Sequence, residues 1–230
     1  PTEKEVNDFS GDESPQAFAN VVERLLASPR YGERWGRHWL DLAKYADTRG
    51  RTENGRENRY LWSWTYRDWV IRAFNEDMPY DQFVLRQIAA DKLDLADKRD
   101  LAAMGYLTLG NRFGNNLNDI IDDRIDLIGK STMGLTLACA RCHDHKFDPI
   151  PTKDYYALHG VFNSSTEPRD GPELETPKDT PVYRDYKNQL AAREAAVVAF
   201  REKVEDEMGA NWRTKIAEYL MVLQEHKKLT

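Results

Sequence analysis

Apolar residues recur at helical spacing along almost the whole chain, and no convincing stretch alternates apolar with polar residues. That pattern predicts an all-α fold, an irregular multi-helix domain closed by a pair of long helices. Phe18, Val21, Val22, Leu25 and Leu26 form one stripe after Ser14-Pro15, a helix start with proline in the first turn. A second helix is expected from about Tyr31 to Ala46, with Trp35, Trp39, Leu42 and Ala43 on one face. Further helices are expected over 60–74, 80–90, 101–109 and 154–162, and a long one from Leu117 to about Ala138.

Between Asp47 and Arg59 the chain has no apolar side chain, a polar loop whose length suits a mouth or lid. Three organisational segments follow from composition. Residues 1–165 read as a helical domain, 166–181 as an exposed linker holding prolines among acidic and hydroxyl residues, and 182–230 as an Ala-, Arg-, Glu- and Lys-rich helical arm.

Composition excludes several classes. Six Trp, eleven Tyr and eight Phe supply enough aromatic surface to build a core, which argues against a disordered chain. The net charge of −6 speaks against sequence-independent nucleic-acid binding. The most apolar run, Leu135 to Ala140, gives way at once to Arg141, Cys142 and His143, so no segment is apolar for long enough to insert in a membrane. The N-terminus, Pro1-Thr2-Glu3-Lys4, has neither an initiator Met nor an apolar leader, so the chain reads as part of a longer polypeptide.

The chain has two cysteines, Cys139 and Cys142, with His143 directly after the second. C-A-R-C-H matches the C-x-x-C-H attachment sequence of c-type haem. Two thiols three residues apart can reach both vinyl groups of one covalently held haem c, and the adjacent histidine becomes the proximal iron ligand. Three other readings compete. A redox dithiol wants a βαβ context that is missing here. A zinc site could draw on Cys139, Cys142, His143 and His145, and a disulfide could close the turn.

Three runs resemble a family of exported bacterial proteins, abundant in planctomycetes and described as cytochrome-c-domain-containing. They are RWGRHWLDLAKYAD (34–47), YRDWVIRAFNEDMPYDQF (66–83) and GLTLACARCHDHKFDPIPTKDYY (134–156). The resemblance covers most of the first 162 residues. It implies a periplasmic or otherwise exported multidomain protein, whose partners are other cytochrome or redox domains of the same polypeptide or complex. It supplies no reaction.

The sixth iron position decides between electron transfer and chemistry. His38, among Trp35, Trp39 and Leu42, is the first candidate for a distal ligand or distal acid-base group; Met104, Met133 and His159 are alternatives. His145, two residues from His143, is expected to fix a propionate or a carboxylate such as Asp148. Arg34, Arg37, Arg124 and especially Arg141 are candidate propionate partners. Asp41 and Asp47, beside the polar loop, are candidate catalytic carboxylates. Asp122 and Asp126 share a helix face with Asp123 nearby, as an acid-base pair or a charged surface. Any exposed members of the set Trp35, Trp39, Trp62, Trp64, Tyr66 and Trp69 could stack on sugar rings. The sequence thus leads to a haem-binding electron-transfer domain, with a haem-dependent periplasmic enzyme acting on a carbohydrate or other small substrate, or a zinc or disulfide module, as the alternatives.

Overall fold

The computed structural model describes residues 1–49, 59–168 and 171–227. The expected lid lies mostly over residues 50–58, outside the described residues. Among the described residues the regular structure is helical, apart from one isolated antiparallel bridge between Thr48 and Arg59. The fold is all-α. The chain divides into two compact units, Pro1–Glu175 and Thr176–Thr230.

The first unit opens with α1 (Glu3–Ser10), whose start is fixed by a reciprocal cap between Thr2 and Glu5, and α2 (Ala17–Leu26). Next come α3 (Arg30–Leu42), α4 (Ser63–Asn75) and α5 (Tyr80–Ala89). Helix α3 ends at Leu42, four residues short of the expected Ala46. Lys44 takes a left-handed backbone there (φ 53°), and its ammonium reaches Asp123 at 2.8 Å and Asp126 at 3.3 Å. The 101–109 segment is a 3₁₀ stretch, Lys98–Met104, running into the one-turn α6 (Gly105–Thr108).

The first core packs α3 on α4. A Cβ on Gly32 would lie 2.3 Å from the carbonyl of Ile71, so only glycine permits that approach. Trp39, Tyr66, Trp69, Phe83 and Tyr106 fill the interior with tilted and stacked rings. Their polar atoms are satisfied internally. The Trp39 indole donates to Gln87 Oε1 at 2.8 Å, the Tyr66 hydroxyl donates to the same oxygen at 2.6 Å, and Gln87 Nε2 donates to the Phe83 carbonyl.

The second core joins α7 (Leu117–Ile128), the 3₁₀ turn Leu137–Arg141 and α8 (Thr152–Asn163), through Ile121, Ile125, Leu137, Ala140 and Tyr155. Here the structure corrects the expected helix from Leu117 to Ala138. After Ile128 the chain makes one π-helical turn, Gly129–Met133, and then reverses at Gly134 in the left-handed conformation (φ 69°). The reversal lays Leu137 on Gly129, where a Cβ would meet Leu137 Cγ at 2.5 Å and the Leu135 carbonyl at 2.8 Å.

The second unit contains α9 (Pro181–Lys227), one helix of 47 residues in place of the expected pair. Gly209 was the natural break point, but an isolated interior glycine costs only about 1 kcal/mol against alanine and no proline follows it in the helix. No helix is long and apolar enough to cross a membrane among the described residues.

Candidate functional site

The turn Leu137–Arg141 is 3₁₀, with three residues per turn, so side chains three apart point the same way. Leu137 and Ala140 form its inner face and are buried in the second core. Cys139 and Cys142 therefore share the outer face, and both are exposed free thiols. The closing disulfide of the sequence alternatives is not formed in this structure.

His143 follows directly in sequence and is exposed. Its Nδ1 lies 2.8 Å from the Asp144 carbonyl. A carbonyl can only accept, so Nδ1 carries the ring proton and Nε2 keeps its lone pair. A histidine ligand has this arrangement when one nitrogen is anchored on backbone and the other faces the metal. Two solvent-facing thiols on one side of a turn, next to an imidazole with its Nε2 lone pair free, fit the donor set of a c-type haem.

His145 is used differently. Its side chain is 7% exposed, and its Nδ1 accepts the backbone N–H of Asp148 at 2.9 Å and of Phe147 at 3.3 Å. The ring proton therefore sits on Nε2, which faces Thr136 Oγ1 at 3.2 Å. The expected partner Asp148 is present, through its backbone and through a carboxylate oxygen 3.3 Å from Nδ1. With both nitrogens engaged, His145 pins the loop that follows the motif and has no lone pair left for a zinc ion. Among the described residues no three His, Cys, Asp or Glu side chains converge on a metal position.

Arg141 is held from α7. Both terminal nitrogens lie 3.2 Å from Asp119 Oδ1, and Nη1 lies 3.4 Å from Asp122. Asp119 raises the Arg141 pKa through its hydrogen bond. Here the guanidinium expected to grip a propionate anchors the motif turn to α7. Arg124 is committed likewise, to Glu167 and to the Leu107 carbonyl, while Arg34 and Arg37 lie exposed on α3.

The paired carboxylates of α7 separate by partner. Asp122 accepts the Tyr155 hydroxyl at 2.5 Å, and burial, then this bond to a carboxylate, pushes the Tyr155 pKa up. Asp126, buried, meets Lys44 and Lys130, and Asp123 meets Lys44. The Lys44 pKa is raised: burial opposes its charge, and the bonds to Asp123 and Asp126 outweigh it.

The remaining candidates are distributed over the first unit. His38 is exposed on α3, its ring 5.5 Å from that of Trp35, and α3 packs on α4 and α2, whereas the motif turn packs on α7 and α8. Asp41 is exposed on the same helix. Asp47 accepts from Tyr45 and Ser63, and these two bonds lower its pKa, Tyr45 first. Trp39, Tyr66 and Trp69 are core; Trp35, Trp62 and Trp64 are exposed. Met133 is exposed on the π turn and Met104 is half-buried. A cleft of about 350 Å³ lies away from the motif, lined by Lys44, Thr48, Asn111, Phe113 and Asp123 among others.

Spacing in the sequence does not single out Thr136, Asp119 or Tyr156, yet each touches the motif. Thr136 Oγ1 lies 3.8 Å from Cys139 Sγ, and the Tyr156 hydroxyl donates to the Arg141 carbonyl at 3.1 Å. Thr136 lies within one helix turn of Cys139 and Tyr156 in the segment after the motif, whereas nothing local in the sequence points to Asp119.

No curated protein and no solved structure matches the chain. A family model does match, over residues 1–167, a span of well over half the chain that includes the two cysteines and His143. The family is described as PSCyt2, a protein of unknown function (DUF1549), and this chain belongs to it.

Proposed function

We propose that the first unit carries one c-type haem, held by thioether bonds to Cys139 and Cys142 and ligated by His143. Its role is to pass electrons to or from other cytochrome or redox domains of an exported assembly. The observation that carries this reading is the outer face of the 3₁₀ turn, where both thiols stand exposed beside an imidazole whose Nε2 lone pair is free. A haem so attached supplies one-electron exchange at its iron.

The chain's own residues hold that face in place. Leu137 and Ala140 seat the turn in the second core, Arg141 clamps it to Asp119 and Asp122, and Tyr156 holds the Arg141 carbonyl. His145 closes the following loop through Thr136 and two backbone N–H groups, and its own N–H donates to the Ile150 carbonyl. A centre that exchanges electrons gains from such rigidity, because little around it has to reorganise.

The test is expression in a bacterial periplasm with cytochrome c maturation enzymes, followed by pyridine haemochrome analysis and metal analysis. The expected product has one haem per chain and the α-band of a haem joined by two thioethers. Cys139→Ala and Cys142→Ala each reduce attachment to a single bond or abolish it. Colourless protein, or one zinc per chain, would overturn the reading.

A further inference from the structure

We propose that His159 is the second axial ligand of that haem, so that the centre is closed on both faces by histidine. The inference rests on the haem reading above and names a residue that reading leaves open.

The chain has five histidines. His143 is the proximal ligand, and His145 has both nitrogens engaged. His38 sits on α3, which packs on α4 and α2, and His226 belongs to the second unit. His159 is on α8, the helix that packs directly on the motif turn.

Two bonds tie α8 alongside the motif. Asp144 Oδ1 accepts the backbone N–H of Thr152 at 2.8 Å, which places the start of α8 beside His143. The Tyr156 hydroxyl reaches the Arg141 carbonyl one turn later. His159 comes three residues after Tyr156 on the same helix face, about 10 Å along the axis from Thr152.

His159 is half-buried, with ring neighbours Tyr155 and Tyr156. Its polar contact is Nε2 to Asn118 Oδ1 at 3.2 Å, a neutral surface bond that an iron ligand would replace at small cost. Ligation through Nε2 moves the ring proton to Nδ1 and needs no change of charge. Exposed apolar side chains flank these segments: Leu117 beside Asn118, Tyr156 beside His159, and Phe147, 83% exposed, in the loop after the motif. A macrocycle held between His143 and His159 would cover apolar surface of this kind.

The experiment uses the full haem-loaded chain, with ferric visible and electron paramagnetic resonance spectra and cyanide titration as readouts. Wild-type protein is expected to be low-spin without a thioether-to-iron charge-transfer band. His159→Ala is expected to turn high-spin and to bind cyanide at least about tenfold more tightly. Added imidazole returns that variant to low-spin, which a merely structural role for His159 would not produce. His159→Met is expected to be low-spin with the thioether band. His38→Ala and Met133→Ala are expected to match wild type. High-spin wild-type protein, or low-spin His159→Ala with its haem intact, would overturn the assignment while the haem reading stands. Absence of a haemochrome in wild type overturns the haem reading itself. Circular dichroism of each variant checks that overall helicity is kept.

Discussion

Asp100 lies in a stretch, Lys98-Arg99-Asp100-Leu101, that reads as surface in sequence, yet it is buried in the first core. Its carboxylate accepts from the Trp69 indole at 3.0 Å, from Arg72 at 2.6 Å and from Arg86 at 3.0 Å. Those partners lie 14 to 31 residues away, which is why no local pattern announces them. Removing the charge leaves two guanidinium groups, each half-buried, without their shared carboxylate. Asp100→Ala is therefore expected to lower unfolding free energy by about 3 kcal/mol or more, read from urea titrations followed by Trp fluorescence. Nearby, Asp97 has its pKa pulled down to about 2, first by its hydrogen bond to the Arg99 side chain and then by the Arg99 backbone N–H and the charge of Arg72. A carboxylate lowered on folding stabilises the native state fully above its unfolded pKa, near 4, and loses that contribution as pH falls toward about 2. Urea midpoints of Asp97→Asn are expected to fall less steeply than those of wild type between pH 4 and pH 2. A parallel pair of curves would show that Asp97 has no such role. At the site the division is similar. The two thiols and His143 are visible as a motif, whereas the anchoring of Arg141 by Asp119 and Asp122 depends on how α7 lies against the turn.

The break after α7 decides where the motif ends up. Gly129 and Gly134 sit inside helical apolar spacing, and isolated glycines do not by themselves end a helix. What ends it is a tertiary contact, Leu137 folded back on the space that a side chain at 129 would fill. Gly129→Ala is expected to cost about 1–3 kcal/mol, because the nearest atoms include the Leu135 carbonyl as well as the Leu137 side chain. Its haem yield under periplasmic maturation should drop, since the turn that presents both thiols is displaced. Gly160 on α8 gives the opposite sign. A Cβ there meets nothing within 4 Å, so Gly160→Ala should stabilise by about 0.5–1 kcal/mol in thermal melts. The positions of α4, α5 and α8 were close to legible from spacing and prolines; the ends of α3 and α7 were not, because Lys44 and Gly134 leave the helix for partners distant in sequence or for a reversal.

The two units differ in what holds them together. In the first, two packed cores unite helices distant in sequence, and its melting should be cooperative. In the second, α9 exposes Tyr186, Phe200, Met208, Trp212 and Leu223, with no buried side chain among those described. Helices in water owe most of their stability to packing, so α9 should lose ellipticity gradually. Far-UV circular dichroism of a Trp212→Phe variant, whose remaining Trp residues all lie in the first unit, is expected on heating to show a broad early loss followed by a sharp step at the Trp fluorescence midpoint. A single sharp transition by both probes would show that α9 is packed. The outward placement of Cys139 and Cys142 also bears on the order of events in biogenesis. Thiols buried in a core must be modified before the chain closes over them, whereas these two remain accessible in the folded chain. If the proposed haem attachment holds, folding and attachment could proceed in either sequence, and a folded chain without haem would keep two accessible thiols open to crosslinking under oxidising conditions.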